Sequence, residues 1–154
     1  MLLQGKKALI TGSSRGIGKE IARRFLEEGA EIWGLNVRIS SKDEQALAQE
    51  KGSRYHEVYV DIADTALLSE TIKAVLASSG GFDVLVNNAG GGIAIKEVSE
   101  FTTEEIDATI KLNLNSVIYG CRAFADMMKQ QKCGTMINIS SVCARQCWPT
   151  WSVY

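Results

Sequence analysis

The stretch Thr11-Gly-Ser-Ser-Arg-Gly-Ile-Gly18 decides the fold of this chain. It follows the apolar run 8–10 and opens an amphipathic run. Strand, glycine-rich turn and helix in that order form an anion-binding unit, because N-terminal helix N–H groups converge on one point and the helix dipole favours negative charge there. Gly12 and Gly16 permit a tight turn and a close approach to a diphosphate, while Gly18 permits close helix–strand packing. The alternative is a glycine-rich turn that binds nothing.

Composition places the chain among soluble single domains. Its 154 residues suit one domain, 1–154, and 45% of them are apolar. A net charge of −1, from 17 basic and 18 acidic residues, gives no support for nucleic-acid or membrane binding. No apolar stretch approaches the roughly 18 residues of a membrane span, and residues 1–7 lack a signal-peptide pattern. We expect a cytoplasmic protein without nucleic-acid or membrane partners.

The cysteines indicate free thiols rather than a metal site. Cys121, Cys133, Cys143 and Cys147 fit a reducing compartment. Cys143 and Cys147 lie four apart in a predicted loop, but further ligands are missing nearby and His56 is distant in sequence. We therefore expect no metal, and we expect His56 to begin a strand without a chemical role.

Apolar runs alternate with helical patterns, which predicts an α/β protein with a parallel sheet. The predicted strands are Lys7–Thr11, Glu31–Asn36, Tyr55–Val60, Val84–Val86 and Met136–Ile139. The predicted helices run over 16–28, from a Ser41 cap to Gly52, from an Asp64 cap to Ser78, and from a Thr102 cap to Gln131. Residues 140–154 are predicted to form a loop that ends at a helix start.

Right-handed crossovers give these strands the order 3-2-1-4-5, a Rossmann-type, doubly wound sheet. The switch point then lies between the first and fourth strands, where ligands of open α/β sheets bind beyond the strand C-termini. Thr11–Gly18 and Asn87–Gly90 follow these two strands. Two separate motifs are therefore predicted to meet in one crevice.

The motifs together resemble the short-chain dehydrogenases/reductases over the whole chain. The matching segments are Thr11–Gly18, Val60–Ile62, Asn87–Gly90, Asn113 within Leu-Asn-Leu-Asn-Ser, and Asn138–Ser141. Tyr154 stands thirteen residues after Ser141, which is the family's serine-to-tyrosine separation. The resemblance implies NAD(P)-linked hydride transfer between a nicotinamide and a carbonyl or alcohol.

The resemblance also implies a cofactor-binding set. Asp61 matches the residue that hydrogen-bonds the adenine; alternatively, it caps a turn at the strand end. Ala89 and Gly90 lack bulk, so their segment can pass close to the cofactor. The full set is Gly12, Ser14, Arg15, Gly16, Ile17, Gly18, Asn36, Arg38, Asp61, Ile62, Asn88, Ala89 and Gly90.

Three residues match the family's catalytic positions. Ser141 would orient the substrate oxygen, and Ser140 is the weaker candidate because its spacing is off by one. Tyr154 would give that oxygen a proton, or remove one in the reverse direction. Asn113 matches the asparagine that holds a water in the proton relay; alternatively, it is a polar defect in a helix. The family's assisting lysine would stand four residues beyond Tyr154, where this sequence has already ended.

The family pattern favours NADP, used as NADPH. NAD-preferring members carry an acid at the end of the second strand, where this chain has Asn36 followed by Val37. Arg15 matches a basic residue common in NADP-preferring members, and Arg38 is near enough to assist. A guanidinium suits a phosphate. The alternative is that both arginines are solvated surface charges.

Substrate and assembly are weakly encoded. The glycine-rich pattern is typical of 3-oxoacyl-[acyl-carrier-protein] reductases, which implies a 3-oxoacyl thioester; sugar or polyol dehydrogenases are the alternative. Trp148 and Trp151 indicate either a bulky apolar substrate wall or packing. Family members are longer and often form tetramers or dimers. We therefore expect a fragment with strand five as an exposed edge, and keep open a non-catalytic dinucleotide-binding fragment and a purely structural one.

Overall fold

In the part of the chain that the structure describes, five parallel strands form one sheet in the order β3-β2-β1-β4-β5, as the sequence predicts. The structure, a computed structural model, describes residues 1–37, 52–146 and 148–154. The strands are β1 Lys7–Thr11, β2 Glu31–Asn36, β3 Tyr55–Tyr59, β4 Val84–Asn87 and β5 Thr135–Asn138. The predicted bounds of β1 and β2 are confirmed, β3 and β4 each differ by one residue at their C-terminal end, and β5 is shifted by one residue at both ends. The predicted helix from Ser41 to Gly52 lies outside the described residues apart from its last position, Gly52, which begins a short 3-10 turn.

Helices pack on both faces of this sheet. They are α1 Gly16–Glu27, α2 Thr65–Ser79, α3 Thr103–Ile110 and α4 Ser116–Gln131. The predicted caps are present: Asp64 accepts hydrogen bonds from two first-turn amides of α2, and Gly80 ends that helix at φ +75°. Thr102 and Glu105 form the capping box of α3.

The long helix predicted from the Thr102 cap to Gln131 is not uniformly α-helical. A π-helical segment, Lys111–Asn115, joins α3 to α4. Asn113 lies inside it and donates to the Thr109 carbonyl oxygen at 3.0 Å. An extra residue in one turn re-aims the side chains that follow, which is why such segments occur at functional sites.

Alternate residues of the inner strands β1, β2 and β4 fill two cores, one on each face of the sheet. Leu9 and Leu85 point to the side of α2 and α4, where they meet Phe124. Ala8 and Ile10 point to the side of α1 and meet Ala22 and Leu26. Burial on both faces explains why β1 and β4 read as continuous apolar runs.

Strand β5 lies at one edge of the sheet. It pairs with β4. Ile137, in the strand, and Ile139, just beyond it, are 37% and 38% exposed. Among the described residues, the helices are all too short or too polar to cross a membrane.

Candidate functional site

The glycine-rich turn between β1 and α1 needs three glycines for three different reasons. Gly12 and Gly16 have φ values of +69° and +55°, a region that residues with a Cβ rarely adopt. A Cβ on Gly18 would lie 2.2 Å from the Gly12 carbonyl oxygen, so α1 can pack against the turn only with glycine there. The Gly12 N–H donates to the Leu35 carbonyl oxygen at 2.7 Å, which ties the turn to β2.

The N-terminus of α1 is open at this turn. Its N-cap residue, Arg15, gives no side-chain cap, and the first turn contains no acidic residue. A Cβ on Gly16 would meet nothing within 4 Å, and Ile17 is 64% exposed. Open amides and a helix dipole together suit an anion, and the exposed Arg15 guanidinium beside them suits a further phosphate. The residues present therefore fit the diphosphate of a dinucleotide.

Thr11 joins this turn to the segment after β4. Its Oγ1 accepts hydrogen bonds from the amides of Asn88 and Ala89, both at 3.0 Å. The Asn88 carboxamide donates in return to the carbonyl oxygens of Thr11, at 3.0 Å, and Gly12, at 3.2 Å. The two motifs therefore meet at the switch point, as predicted from their positions after β1 and β4.

Asn36, at the end of β2, turns its side chain inward. It is 3% exposed, and its Oδ1 accepts from the Ser14 amide at 3.0 Å. Its Nδ2 donates to Ser13 Oγ at 3.3 Å and to Glu57 Oε1 at 3.4 Å. This side chain holds the turn from inside the fold. Arg38, the other predicted residue on this side, lies outside the described residues.

Asp61 and Ile62 follow β3 at the same edge of the sheet. Asp61 Oδ1 accepts from the Ala63 amide at 2.9 Å, so the carboxylate caps a turn while remaining exposed. Ile62 is 4% exposed and lines a small crevice together with Thr11 and Ala89. Contact of Asp61 with an adenine stays a prediction.

Asn113 fastens the π-helical segment to the glycine-rich loop that follows β4. Its Oδ1 accepts from the Gly91 amide at 2.8 Å, and its Nδ2 donates to the Gly91 carbonyl oxygen at 3.0 Å. A Cβ on Gly90 would lie 2.7 Å from Asn113 Oδ1, so this approach requires a glycine. Asn113 thus connects α3 and α4 to the crevice, while its role in a proton relay stays a prediction.

Ser141 and Tyr154 lie in the segment after β5. Ser141 Oγ accepts from the Cys143 amide at 3.2 Å and caps the short 3-10 helix Val142–Ala144. Tyr154 is 38% exposed and packs edge-to-face on Trp151, with ring centroids 5.3 Å apart. Trp151 also covers Gly92, where a Cβ would lie 3.0 Å from its ring. This ring packs on the glycine-rich loop, whereas Trp148 is 49% exposed.

Several residues that organise the crevice were not in the predicted cofactor-binding or catalytic sets, although Asn87 belongs to the predicted motif Asn87–Gly90. Asn87 is 4% exposed, and its Nδ2 donates to Asn138 Oδ1 at 2.9 Å, which joins the ends of β4 and β5. A Cβ on Gly120 would lie 2.7 Å from Asn87 Oδ1, so α4 approaches through this glycine. Ser13 and Tyr55 were missed as well; the signal for them was Gly34, since a glycine inside a strand marks a close approach.

His56 lies within β3 and has partners of its own. Its Nε2 is 2.7 Å from Glu31 Oε1, and its ring stacks on Trp33 at 4.4 Å. Within residues 1–37, 52–146 and 148–154, no group of three His, Cys, Asp or Glu side chains is placed to hold a metal ion. Cys147 lies outside these ranges.

Comparison with known proteins agrees with this fold. The family model for short chain dehydrogenase matches residues 6–154. The chain belongs to this family.

Its relatives have diverse substrates. A 3-oxoacyl-[acyl-carrier-protein] reductase of Chlamydia muridarum is 37% identical over 145 residues, which cover 92% of this chain and 57% of that protein. A cyclohexanol dehydrogenase of a Rhodococcus species is 31% identical, over 90% of this chain and 57% of that protein. The chain therefore spans a little over half the length of these curated relatives.

Solved structures show the same fold. A metagenomic short-chain oxidoreductase in complex with NADP superposes with a TM-score of 0.92 at 32% identity, covering 100% of this chain and 69% of that one. A short-chain dehydrogenase from Streptomyces avermitilis has a TM-score of 0.90 at 28% identity, covering 98% and 55%.

Proposed function

We propose that this chain forms the NADPH-binding part of a carbonyl reductase. The observation that carries the proposal is the open N-terminus of α1, where Gly16 leaves space for a ligand beside the exposed Arg15. The contacts of Thr11 with Asn88 and Ala89 add a second wall to the same crevice. Open amides and a positive side chain at a switch point suit a phosphorylated dinucleotide.

We expect the predicted cofactor-binding residues that the structure describes to contact the dinucleotide in this crevice. Gly12, Ser14, Gly16, Ile17 and Gly18 would present backbone to the diphosphate. Asp61 and Ile62 would face the adenine side, and the segment Asn88–Gly90 would pass beneath the nicotinamide half. When bound, the reduced nicotinamide supplies a hydride to the carbonyl carbon.

Residues of this chain would bind the carbonyl oxygen and give it a proton. The Ser141 hydroxyl keeps its proton while accepting from Cys143, so it can donate to that oxygen. Tyr154, 38% exposed, can supply the proton that completes the alcohol. Asn113 would steady the loop at Gly91 and, in the further role expected from the family, hold a relay water.

NADP is favoured over NAD by charge. Arg15 would pair with a 2′-phosphate, and Asn36 presents no carboxylate that would repel one. The solved relatives include complexes with NADP and with NAD, so the preference of this chain rests on its own residues.

A 3-oxoacyl thioester is the substrate class we favour, because the relative at 37% identity is a 3-oxoacyl-[acyl-carrier-protein] reductase. A sugar-type substrate is the second candidate. It is favoured by a 2-dehydro-3-deoxy-L-rhamnonate dehydrogenase of a Sphingomonas species, which is 31% identical over 152 residues.

A screen of NADPH oxidation tests these proposals together. Acetoacetyl thioester and a set of keto-sugars are offered to the purified protein, and binding of NADPH is measured separately by fluorescence titration. We expect binding and faster turnover of the thioester. Binding without turnover of either class would indicate a non-catalytic dinucleotide-binding fragment, and absence of binding would overturn the proposed function.

We propose further that copies of the protein associate through the exposed helical stripe. Ile110, Leu114 and Ile118 are 41%, 54% and 53% exposed and lie at successive four-residue intervals. These positions run from the end of α3 through the π-helical segment into α4, and we propose that the three exposed side chains form one apolar surface.

A further inference from the structure

A tyrosine from β3 reaches the glycine-rich turn that follows β1. Tyr55 Oη lies 2.9 Å from Ser13 Oγ, and Ser13 is fully buried at 0% exposure. Strand β2 separates β3 from β1 in the sheet, so this contact passes over an intervening strand. Tyrosine has this reach together with a terminal hydroxyl, whereas the hydroxyls of serine and threonine lie too close to the backbone.

Gly34 of β2 provides the space for this contact. A Cβ there would lie 2.2 Å from Ser13 Oγ and 2.3 Å from Tyr55 Oη, so any other residue would close the path. Gly34 is two residues from Ile32, the register partner of Tyr55, and so lies on the same face of the sheet. The glycine and the tyrosine thus fit each other across two strands.

Asn36 completes the arrangement around Ser13. Its Nδ2 lies 3.3 Å from Ser13 Oγ and 3.5 Å from Tyr55 Oη, and its Oδ1 accepts from the Ser14 amide. Two consecutive turn residues are therefore held from inside the fold. A buried hydroxyl is costly without a partner, so removing Tyr55 Oη leaves Ser13 to readjust.

We infer that Tyr55 is a positioning residue for the glycine-rich turn and, through Ser13, sets the aim of the α1 amides at the dinucleotide diphosphate. The inference rests on the proposed function. Its physical basis is preorganisation: a turn already fixed in the binding geometry loses less conformational freedom when the ligand binds. The effect acts on the diphosphate, which NADPH and NADH share.

Calorimetric titration of Tyr55→Phe with NADPH and with NADH tests the inference. We expect Kd to rise about fivefold for both, the scale of one buried hydrogen bond, with the NADPH-to-NADH ratio and the binding stoichiometry unchanged. Tyr119→Phe on α4 is the matched control and should bind as the unaltered protein does. Ser13→Ala combined with Tyr55→Phe should weaken binding little beyond the stronger single change, because both remove the same contact.

The outcomes separate the inference from the proposed function. Binding of neither dinucleotide by the unaltered protein would overturn the proposed function, and the inference with it. Normal binding by the unaltered protein with no change in Tyr55→Phe would overturn the inference alone. A lowered stoichiometry at unchanged Kd would assign Tyr55 a purely structural role. If the Kd increases of the two single variants multiply in the double variant, Tyr55 does not act through Ser13.

Discussion

Asn36 performs two tasks with one carboxamide. At the end of β2 it places no negative charge beside the turn, and it holds Ser14 and Ser13 through its acceptor and its donor. Only a side chain with both functions can make this pair of contacts. An aspartate would keep the acceptor for the Ser14 amide, lose the donor, and face the Glu57 carboxylate at about the present 3.4 Å.

Replacing Arg15 should change the affinity for NADPH much more than the affinity for NADH. Arg15→Ala removes the exposed guanidinium beside the open end of α1, so NADPH affinity should fall about tenfold, while NADH affinity changes less than about twofold. Fluorescence titration with both cofactors measures the difference. Arg122→Ala, on the exposed side of α4, loses the same charge and serves as control. Equal losses for NADPH and NADH in Arg15→Ala would refute the assignment.

The ionisation of Asp83 makes the stability of the fold depend on pH. Burial alone would raise the pKa of its carboxyl, but hydrogen bonds from Lys6 Nζ, at 2.7 Å, and the Lys7 amide, at 2.9 Å, outweigh it and hold the pKa below the usual 3.8. A lowered folded-state pKa means that ionised Asp83 stabilises the fold above the unfolded pKa. This contribution disappears as the pH falls through the folded-state value.

We therefore expect Asp83→Asn to lower the free energy of unfolding by about 1 kcal/mol at pH 7, with the difference shrinking toward pH 3. Urea unfolding at both pH values measures it. Asp107→Asn, an exposed change on α3 that removes the same kind of charge, is the matched control. A difference of constant size between pH 7 and pH 3 would contradict the role given to the Asp83 carboxylate.

At the scale of elements, local patterns predicted most of the fold. Glycine punctuation and continuous apolar runs located β1 and β2 to the residue, and the Asp64 and Thr102 caps located the starts of two helices. These signals act within a few residues, so a single sequence contains them. The contact of Tyr55 with Ser13 spans 42 residues and depends on Gly34, so only the folded sheet brings it together.

The π-helical segment shows the same limit. Asn113 and Asn115 interrupt the helical pattern, which indicated a defect but not its kind. Within the wider turn, the Asn113 side chain bonds both Gly91, 22 residues away, and the Thr109 carbonyl oxygen. The helical periodicity of the sequence does not predict this contact with the loop at Gly91.

Removing this side chain tests the link between π segment and loop. Asn113→Ala deletes three hydrogen bonds, so we expect the free energy of unfolding to fall by about 2 kcal/mol and the Gly91 amide to exchange with solvent faster. Hydrogen exchange followed by NMR measures this. Asn113→Asp keeps the acceptor for the Gly91 amide and should retain part of its protection. Unchanged Gly91 exchange in Asn113→Ala would leave the proton relay as the only role for this residue.

At the scale of the molecule, we propose two surfaces with different roles, one for the dinucleotide and one for association between copies. The strand C-termini and the start of α1 surround the crevice, whereas Ile110, Leu114 and Ile118 face outward from the helical path. With a net charge of only −1, long-range repulsion between copies is weak. An exposed apolar stripe on a nearly neutral protein favours association.

A charge within the stripe should break this association. Leu114 is 54% exposed, so Leu114→Glu should leave the folded monomer as stable as before while placing an unpaired charge in the contact. We expect sedimentation velocity to show dimers or tetramers for the unaltered protein and a shift to monomer for the variant, with an unchanged thermal midpoint in dilute solution. Val98→Glu introduces the same charge at a position 58% exposed outside the stripe, so it should sediment as the unaltered protein does. Equal sedimentation of Leu114→Glu and the unaltered protein would place the contact between copies on another surface.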